Sequence, residues 1–299
     1  MKKRQKKFIR RLIIILLILG YYYIKDNQES YSKPDETKNK IQQVSTDLSI
    51  HYIDVGQADS ILIQNKEYNM LIDAGNNEDG PLLVKYIKEE LNINKLDYVV
   101  GTHPHEDHIG GLDDIINNIN VKEVYLPEAM TTTKTFEDVL DSIANNNLEI
   151  TVPTIGEKFT LGEMEFEVLY TGTGKKDLNE ASIILKMNFG NHTYLFTGDT
   201  TEEVEKTILD KDINIDILKV AHHGSKYSSC NEFLNIATPT HAIISAGEDN
   251  SYGHPEPETL TRLKKHTNNI YITKDLGTII LTSDGTNIKI DNIKTNTNG

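Results

Sequence analysis

Leu96-Asp97-Tyr98-Val99-Val100-Gly101-Thr102-His103-Pro104-His105-Glu106-Asp107-His108 is the stretch from which the rest of the chain is best read. Its first half has the apolar composition of a buried strand. Its second half packs three imidazoles and two carboxylates into six residues, followed by Gly110-Gly111, where a helix is expected to open. Alternation along an extended segment puts His103 and His105 on one side, and Asp107 and His108 turn back to a neighbouring point as the helix begins. That arrangement suits two adjacent metal ions better than one. Nitrogen and oxygen donors without thiolate favour Zn2+, with Mn2+ or Fe possible. The bland alternative is a solvated loop with chance histidines, but only 10 His occur in 299 residues, and so dense a cluster argues against it.

Upstream lie three strand-like runs, 48–55, 59–64 and 69–75, and a helix over 81–91 with Pro81 at its first position. Downstream, strands are predicted at 121–127, 149–153, 164–170, 181–189 and 192–199, with a helix near 136–144. The last third alternates helix (202–209), strand (215–221), helix, strand (241–247), helix (257–266) and closing strands. Antiparallel hairpins first and strand–helix alternation later indicate a mixed α/β fold.

The composition is uneven. Overall net charge is −14, yet the first eleven residues carry seven Lys or Arg and no acid, which leaves 24 basic against 45 acidic residues, a net of −21. Eight consecutive aliphatic residues, 12–19, follow the basic head, then Gly20, three tyrosines and Ile24. The run is shorter than the roughly 20 residues of a comfortable span, but no A-x-A-like cleavage site follows it, so an uncleaved signal-anchor is expected, with membrane contact through residues 8–24. The positive-inside rule keeps the head cytoplasmic and puts everything after Ile24 outside; a cleaved signal would instead give a secreted protein. Residues 25–46 read as a flexible polar linker and 47–299 as one domain. A single cysteine, Cys230, excludes a disulfide framework and thiolate metal clusters.

The pattern HxHxDH at a strand end resembles that of the metallo-β-lactamase superfamily, over about Leu48 to Ile293. Further segments look like the soluble hydrolase domain of ComEC-type competence proteins: His51-Tyr-Ile-Asp-Val-Gly-Gln-Ala-Asp-Ser60, Leu71-Ile-Asp-Ala-Gly75, Leu195-Phe-Thr-Gly-Asp199, Ala221-His-His-Gly-Ser225 and Tyr252-Gly-His-Pro255. The resemblance implies a four-layer αββα sandwich. It also implies that His103 and His105 hold a first metal, Asp107 and His108 a second, and that Asp199 bridges them. The remaining ligand is expected from the His222-His223 pair, with His222 favoured and His223 left to contact substrate; the reverse assignment is open. Two departures stand out. The third histidine that many relatives give the first metal is missing, leaving Asn179, Glu180 or water to complete it, and Ala58 replaces a usual glycine.

The resemblance implies a dinuclear hydrolase in which a metal-bridging hydroxide is the nucleophile and Asp107 orients or deprotonates it. Two ions about 3.5–4 Å apart would lower the pKa of water enough for this near neutral pH. His223 and His254 are candidates to contact a phosphoryl oxygen or protonate the leaving group, and Asp54 and Asp73 are expected to be structural. The expected substrate is a phosphodiester, in DNA or in a choline-bearing cell-wall polymer. A body at −21 would repel a long polyanion, with Lys219, Lys226 and Lys264-Lys265 as local compensation. A non-catalytic metal-containing surface module and a lactone or lactam hydrolase are the alternatives. No obligate protein partner is implied.

Overall fold

Period-two alternation of apolar side chains builds the centre of the molecule, whose computed structural model describes residues 48–248 and 250–293. The expected membrane segment (1–24) and linker (25–46) lie outside the described residues. Among the described residues, no helix is long and apolar enough to cross a membrane.

Strands β1 (Leu48–Tyr52), β2 (Ser60–Asn65), β3 (Tyr68–Ala74), β4 (Lys95–Val100), β5 (Asn120–Tyr125) and β6 (Ile150–Thr151) form most of one sheet, completed by β14 (Thr278–Ser283) and β15 (Ile288–Ile293). Its order is β15-β14-β1-β2-β3-β4-β5-β6. The second sheet contains β7 (Lys158–Leu161), β8 (Met164–Tyr170), β9 (Ile184–Phe189), β10 (His192–Phe196), β11 (Ile217–Lys219), β12 (His241–Ile244) and β13 (Ile270–Ile272), in the order β13-β12-β11-β10-β9-β8-β7. Both sheets are mixed. The hairpins β1-β2-β3 and β8-β9-β10 are antiparallel, whereas β3-β4-β5 and β10-β11-β12 are parallel.

Leu48, Ile50 and Tyr52 of β1, Ile61 and Ile63 of β2, and Met70 and Ile72 of β3 meet Leu185, Met187, Tyr194 and Phe196 in one buried cluster, so the two sheets pack face to face. The opposite face of the first sheet (Leu62, Leu71, Val99) is covered by α1 (Gly80–Val84), α2 (Glu106–Ile109), α3 (Leu112–Asn118) and α4 (Lys134–Asn145). That of the second (Ile184, Leu195, Leu218) is covered by α5 (Glu202–Lys206), α6 (Asn231–Ala237) and α7 (Pro257–Leu263). Two helical and two sheet layers result, the αββα order expected.

Local boundaries differ from the sequence reading. The helix expected over 81–91 is α-helical only through Val84 and continues as a π-helical turn, Lys85–Glu90. The structure adds β7, a four-residue edge strand that pairs with β8 across the turn at Gly162 and is not among the strands expected from the sequence. Ala58 is accommodated: it is fully buried, and the left-handed turn in its loop falls on Gly56, at φ 68°.

Candidate metal centre

Parallel strands end on the same side, so the loops that follow β3, β4, β10, β11 and β12 converge. From these ends come Asp73, the His103–His108 loop, Asp199, the His222-His223 pair and Ser245. Gly110 and Gly111 allow the loop and α2 to approach β3 closely: a Cβ on Gly110 would lie 2.3 Å from the backbone of Asn76, and one on Gly111 2.5 Å from the Ala74 carbonyl.

Asp107, His108, Asp199 and His223 each offer a ligand atom within 4.8 Å of the others. Asp199 Oδ2 lies 3.3 Å from His108 Nε2 and 3.4 Å from His223 Nε2. Asp107 Oδ2 lies 3.3 Å from His223 Nε2 and 3.8 Å from His108 Nε2. His222 Nε2 reaches only Asp199, at 3.8 Å, and its Nδ1 has no hydrogen-bond partner in the protein. The structure thus gathers His223, the residue expected to touch substrate, into the four-residue cluster, and leaves His222, the expected ligand, outside it. The cause is backbone geometry: His222 (φ 51°) and His223 (φ 52°) are both left-handed, and Gly224 (φ 82°) continues the run. Strand alternation gives no guide to which ring faces inward there. Left-handed non-glycine residues cost on the order of 1–3 kcal/mol each and concentrate where a site needs them.

His103 is buried and faces the half-buried His105, Nε2 to Nδ1 2.9 Å, with its ring 4.1 Å from that of His108. These two form a second imidazole pair beside the four-residue cluster. Of the residues expected to complete their site, Asn179 has a buried side-chain oxygen with no partner in the protein, while the Glu180 carboxylate is engaged by Lys175 at 3.0 Å. The neighbouring Ser182 Oγ accepts the Asp199 backbone N–H at 3.2 Å, tying this loop to the cluster.

Asp73, expected to be structural, holds the centre in place. It accepts the Thr102 backbone N–H (2.7 Å), the Thr102 hydroxyl (2.8 Å) and His108 Nδ1 (2.8 Å), which leaves His108 Nε2 to face Asp199. Such a carboxylate fixes ring orientation and tautomer at metal sites. Burial raises the Asp73 carboxyl above its ordinary range.

Burial would push the central imidazoles down, yet carboxylates outweigh it. His108 is held well above its ordinary range by Asp199, Asp73 and Asp107, and His223 is raised to about 10, chiefly by Asp199. Against the same burial, Asp107 and Asp199 are lowered by His108 and His223. His108 Nε2 and Asp199 Oδ1 are buried without hydrogen-bond geometry to any protein group. Four side chains whose ligand atoms converge, two of them with an orphaned buried atom, fit a metal ion, since each is a ligand type of Zn2+, Mn2+ or Fe.

His254 borders the centre, with its ring 5.6 Å from that of His222 and stacked with Tyr252. Its Nδ1 lies 3.4 Å from the Gln57 amide nitrogen, which places the ring proton on Nε2. Burial, then His223 and His222, lower it to about 4, so the ring is neutral near pH 7 and suited to donating a hydrogen bond. Lys219, expected to offer local charge compensation, is instead fully buried in an ion pair with Asp59 at 2.6 Å. Lys226 pairs with Glu256 at 3.1 Å.

The family model described as metallo-beta-lactamase superfamily matches residues 53–248. Among curated proteins, the chain is 29% identical over 257 residues to ComE operon protein 3 of Bacillus subtilis (strain 168), covering 79% of this chain and 33% of that protein. It is 25% identical over 219 residues to Competence protein ComA of Neisseria gonorrhoeae, covering 71% and 29%. The chain therefore spans about a third of the length of these relatives. The metallo-beta-lactamase fold protein YhfI from Bacillus subtilis has a TM-score of 0.50 at 14% identity, over 75% of this chain and 95% of that one. With its two mixed sheets, the cluster at the strand ends and a family match across most of the described residues, the chain belongs to the metallo-beta-lactamase superfamily.

Proposed function

We propose that the chain is a dinuclear metal-dependent hydrolase of phosphodiesters, anchored in the cell membrane by residues 8–24 with its catalytic domain outside. The observation that carries the hydrolase reading is the convergence of Asp107, His108, Asp199 and His223, with His108 Nε2 and Asp199 Oδ1 left unpartnered. In this reading Asp107, His108, Asp199 and His223 would hold one ion, and His103 and His105, with Asn179 beside them, would hold the other. Bound ions, most simply Zn2+, would supply Lewis acidity and lower the pKa of water. Asp107, the exposed edge of the cluster with a side chain 32% accessible, is placed to orient the attacking water or take its proton. His254 donates its Nε2–H to a phosphoryl oxygen.

The phosphodiester assignment is supported by the likeness to competence proteins and leaves nucleic acid and phosphorylcholine-bearing polymer as the two substrate types. The buried Lys219 and paired Lys226 remove two of the cations that would have drawn a polyanion to the site, so nucleic acid binding would rest more heavily on the ions themselves. One observation favours a non-catalytic metal-containing module: the imidazole pair of the first site has no third histidine.

The test is the full chain purified in detergent, loaded with Zn2+ or Mn2+, and assayed on bis-p-nitrophenyl phosphate, single-stranded DNA, RNA, choline-bearing teichoic acid and lactams. Two metal equivalents and phosphodiester turnover are expected, with His105→Ala and Asp199→Ala inactive. Absence of bound metal by elemental analysis would sink the enzyme reading; metal without turnover on any substrate would favour the binding module. Protease shaving of intact cells is expected to remove the domain.

A further inference from the structure

The buried pair of Asp59 and Lys219 bonds across a sequence gap of 160 residues, with both side chains 1% exposed. Lys219 Nζ donates to Asp59 Oδ2 at 2.6 Å and to the Val220 carbonyl at 3.1 Å. The other carboxylate oxygen, Asp59 Oδ1, has no hydrogen-bond partner in the protein and lies 3.6 Å from His223 Nδ1. His223 Nδ1 itself lies 3.0 Å from the Ser245 carbonyl oxygen, an acceptor only, so this nitrogen carries a proton. The Asp59 backbone N–H donates to the Asp107 carbonyl at 3.0 Å, and the Asp59 carbonyl accepts from Gly75 at 2.9 Å. One residue thus touches the ring of His223 through its side chain and the backbone of Asp107 through its main chain.

We infer that Asp59 and Lys219 are positioning residues for the metal centre: Lys219 pins the Asp59 carboxylate beneath His223, which holds a proton on Nδ1 and presents Nε2 as the ligating nitrogen to the Asp107–Asp199 side. Asp73 does the same for His108 from the first sheet, so each of the two histidines facing Asp199 has a buried acid behind it. A buried ion pair gains little over well-packed apolar side chains of the same volume, so a stability role alone gives no reason for placing one there. Its two ends sit on the loop after β1 and the last residue of β11, and it therefore joins the sheets at the depth of the ligands. This inference rests on the metal-centre reading above.

The experiment titrates the full chain in detergent with cobalt(II), following visible absorption and chelator competition, for wild type, Asp59→Asn and the double variant D59N/K219M, with folding checked by circular dichroism. Wild type is expected to bind two equivalents. Both variants, folded, are expected to hold one of them roughly 10–100-fold more weakly, with a shifted cobalt spectrum. Wild-type affinity and spectrum in either folded variant would overturn the inference, and recovery in the double variant alone would reduce the pair to charge balance and overturn it equally. A measurement without any variant covers the case where neither folds: the long-range 1H–15N spectrum of the zinc-loaded wild type is expected to show His223 protonated at Nδ1, and protonation at Nε2 would refute the inference. A wild type that takes up no cobalt would fail the metal-centre reading itself, a result separate from any difference among variants.

Discussion

His222 and His223 share a residue type, a left-handed backbone and a place in the chain, yet only one of them enters the ligand cluster. Replacing either by glycine relieves the same φ cost, so the pair of variants isolates ligation from strain. His223→Gly is expected to lose about one metal equivalent, and His222→Gly to keep both and unfold at a temperature no lower than wild type; elemental analysis and thermal melts read the two outcomes. Loss of metal from His222→Gly alone would restore the assignment favoured by the sequence. The sequence could not decide this point, because ring direction after β11 depends on two consecutive positive φ angles that nothing in Val220-Ala221-His222-His223 announces. By contrast, the His103–His108 cluster was legible at once, since its donors are neighbours in the chain and their convergence needs only a strand followed by a helix. Asp199 was legible only in company with that cluster. The role of Asp59 is not legible in the sequence, because its partner Lys219 lies 160 residues away.

At the scale of elements, α5 and α7 clamp the segment that follows His223. The fully buried Glu205 of α5 accepts the backbone N–H groups of Ser229 (2.5 Å) and Cys230 (2.8 Å). Arg262 of α7 donates to the carbonyls of Ser229, Lys226 and Ser228 at 2.8–3.0 Å. Burial raises the Glu205 carboxyl from 4.5 to about 7, against the lowering effect of those N–H groups. The sign follows from linkage. The folded state holds the Glu205 proton more tightly than the unfolded chain, so this group disfavours folding fully above pH 7, progressively less as pH falls through 7, and not at all below 4.5. Relative to Glu205→Gln, wild type is expected to lose stability between pH 5 and pH 8, by at most about 3 kcal/mol at ~1.4 kcal/mol per pKa unit; melts at both pH values measure it, and a gap that does not change with pH would contradict the assignment. Secondary structure itself was largely legible from alternating apolar residues, with β7 the exception: in Lys158-Phe159-Thr160-Leu161 only Leu161 is buried. Four residues at a sheet edge carry too little periodicity to register.

For the whole molecule, the cluster between the sheets carries the fold. Phe196, 1% exposed, ends β10 three residues before Asp199 and packs in that cluster. Phe196→Ala is expected to cost about 3–5 kcal/mol; urea unfolding should show a lower midpoint at unchanged slope. Metal is expected to raise the melting temperature of wild type and to do so much less in Asp199→Ala, because a ligand that binds only the folded chain stabilises it by mass action. The layer order was legible from the resemblance and from the strand pattern together, while the expected anchor and linker fall outside the described residues.

Asp107 and His108 arrive from the first sheet and Asp199 and His223 from the second, and the contact between Asp107 and His223 closes a gap of 116 residues. No short fragment holds the centre, and its closure entropy is met only once both sheets have formed and docked. Metal capture is therefore expected late on the folding path. During refolding, far-ultraviolet circular dichroism is expected to recover before cobalt absorption appears, which would make metal uptake a report on completed folding as well as the start of chemistry.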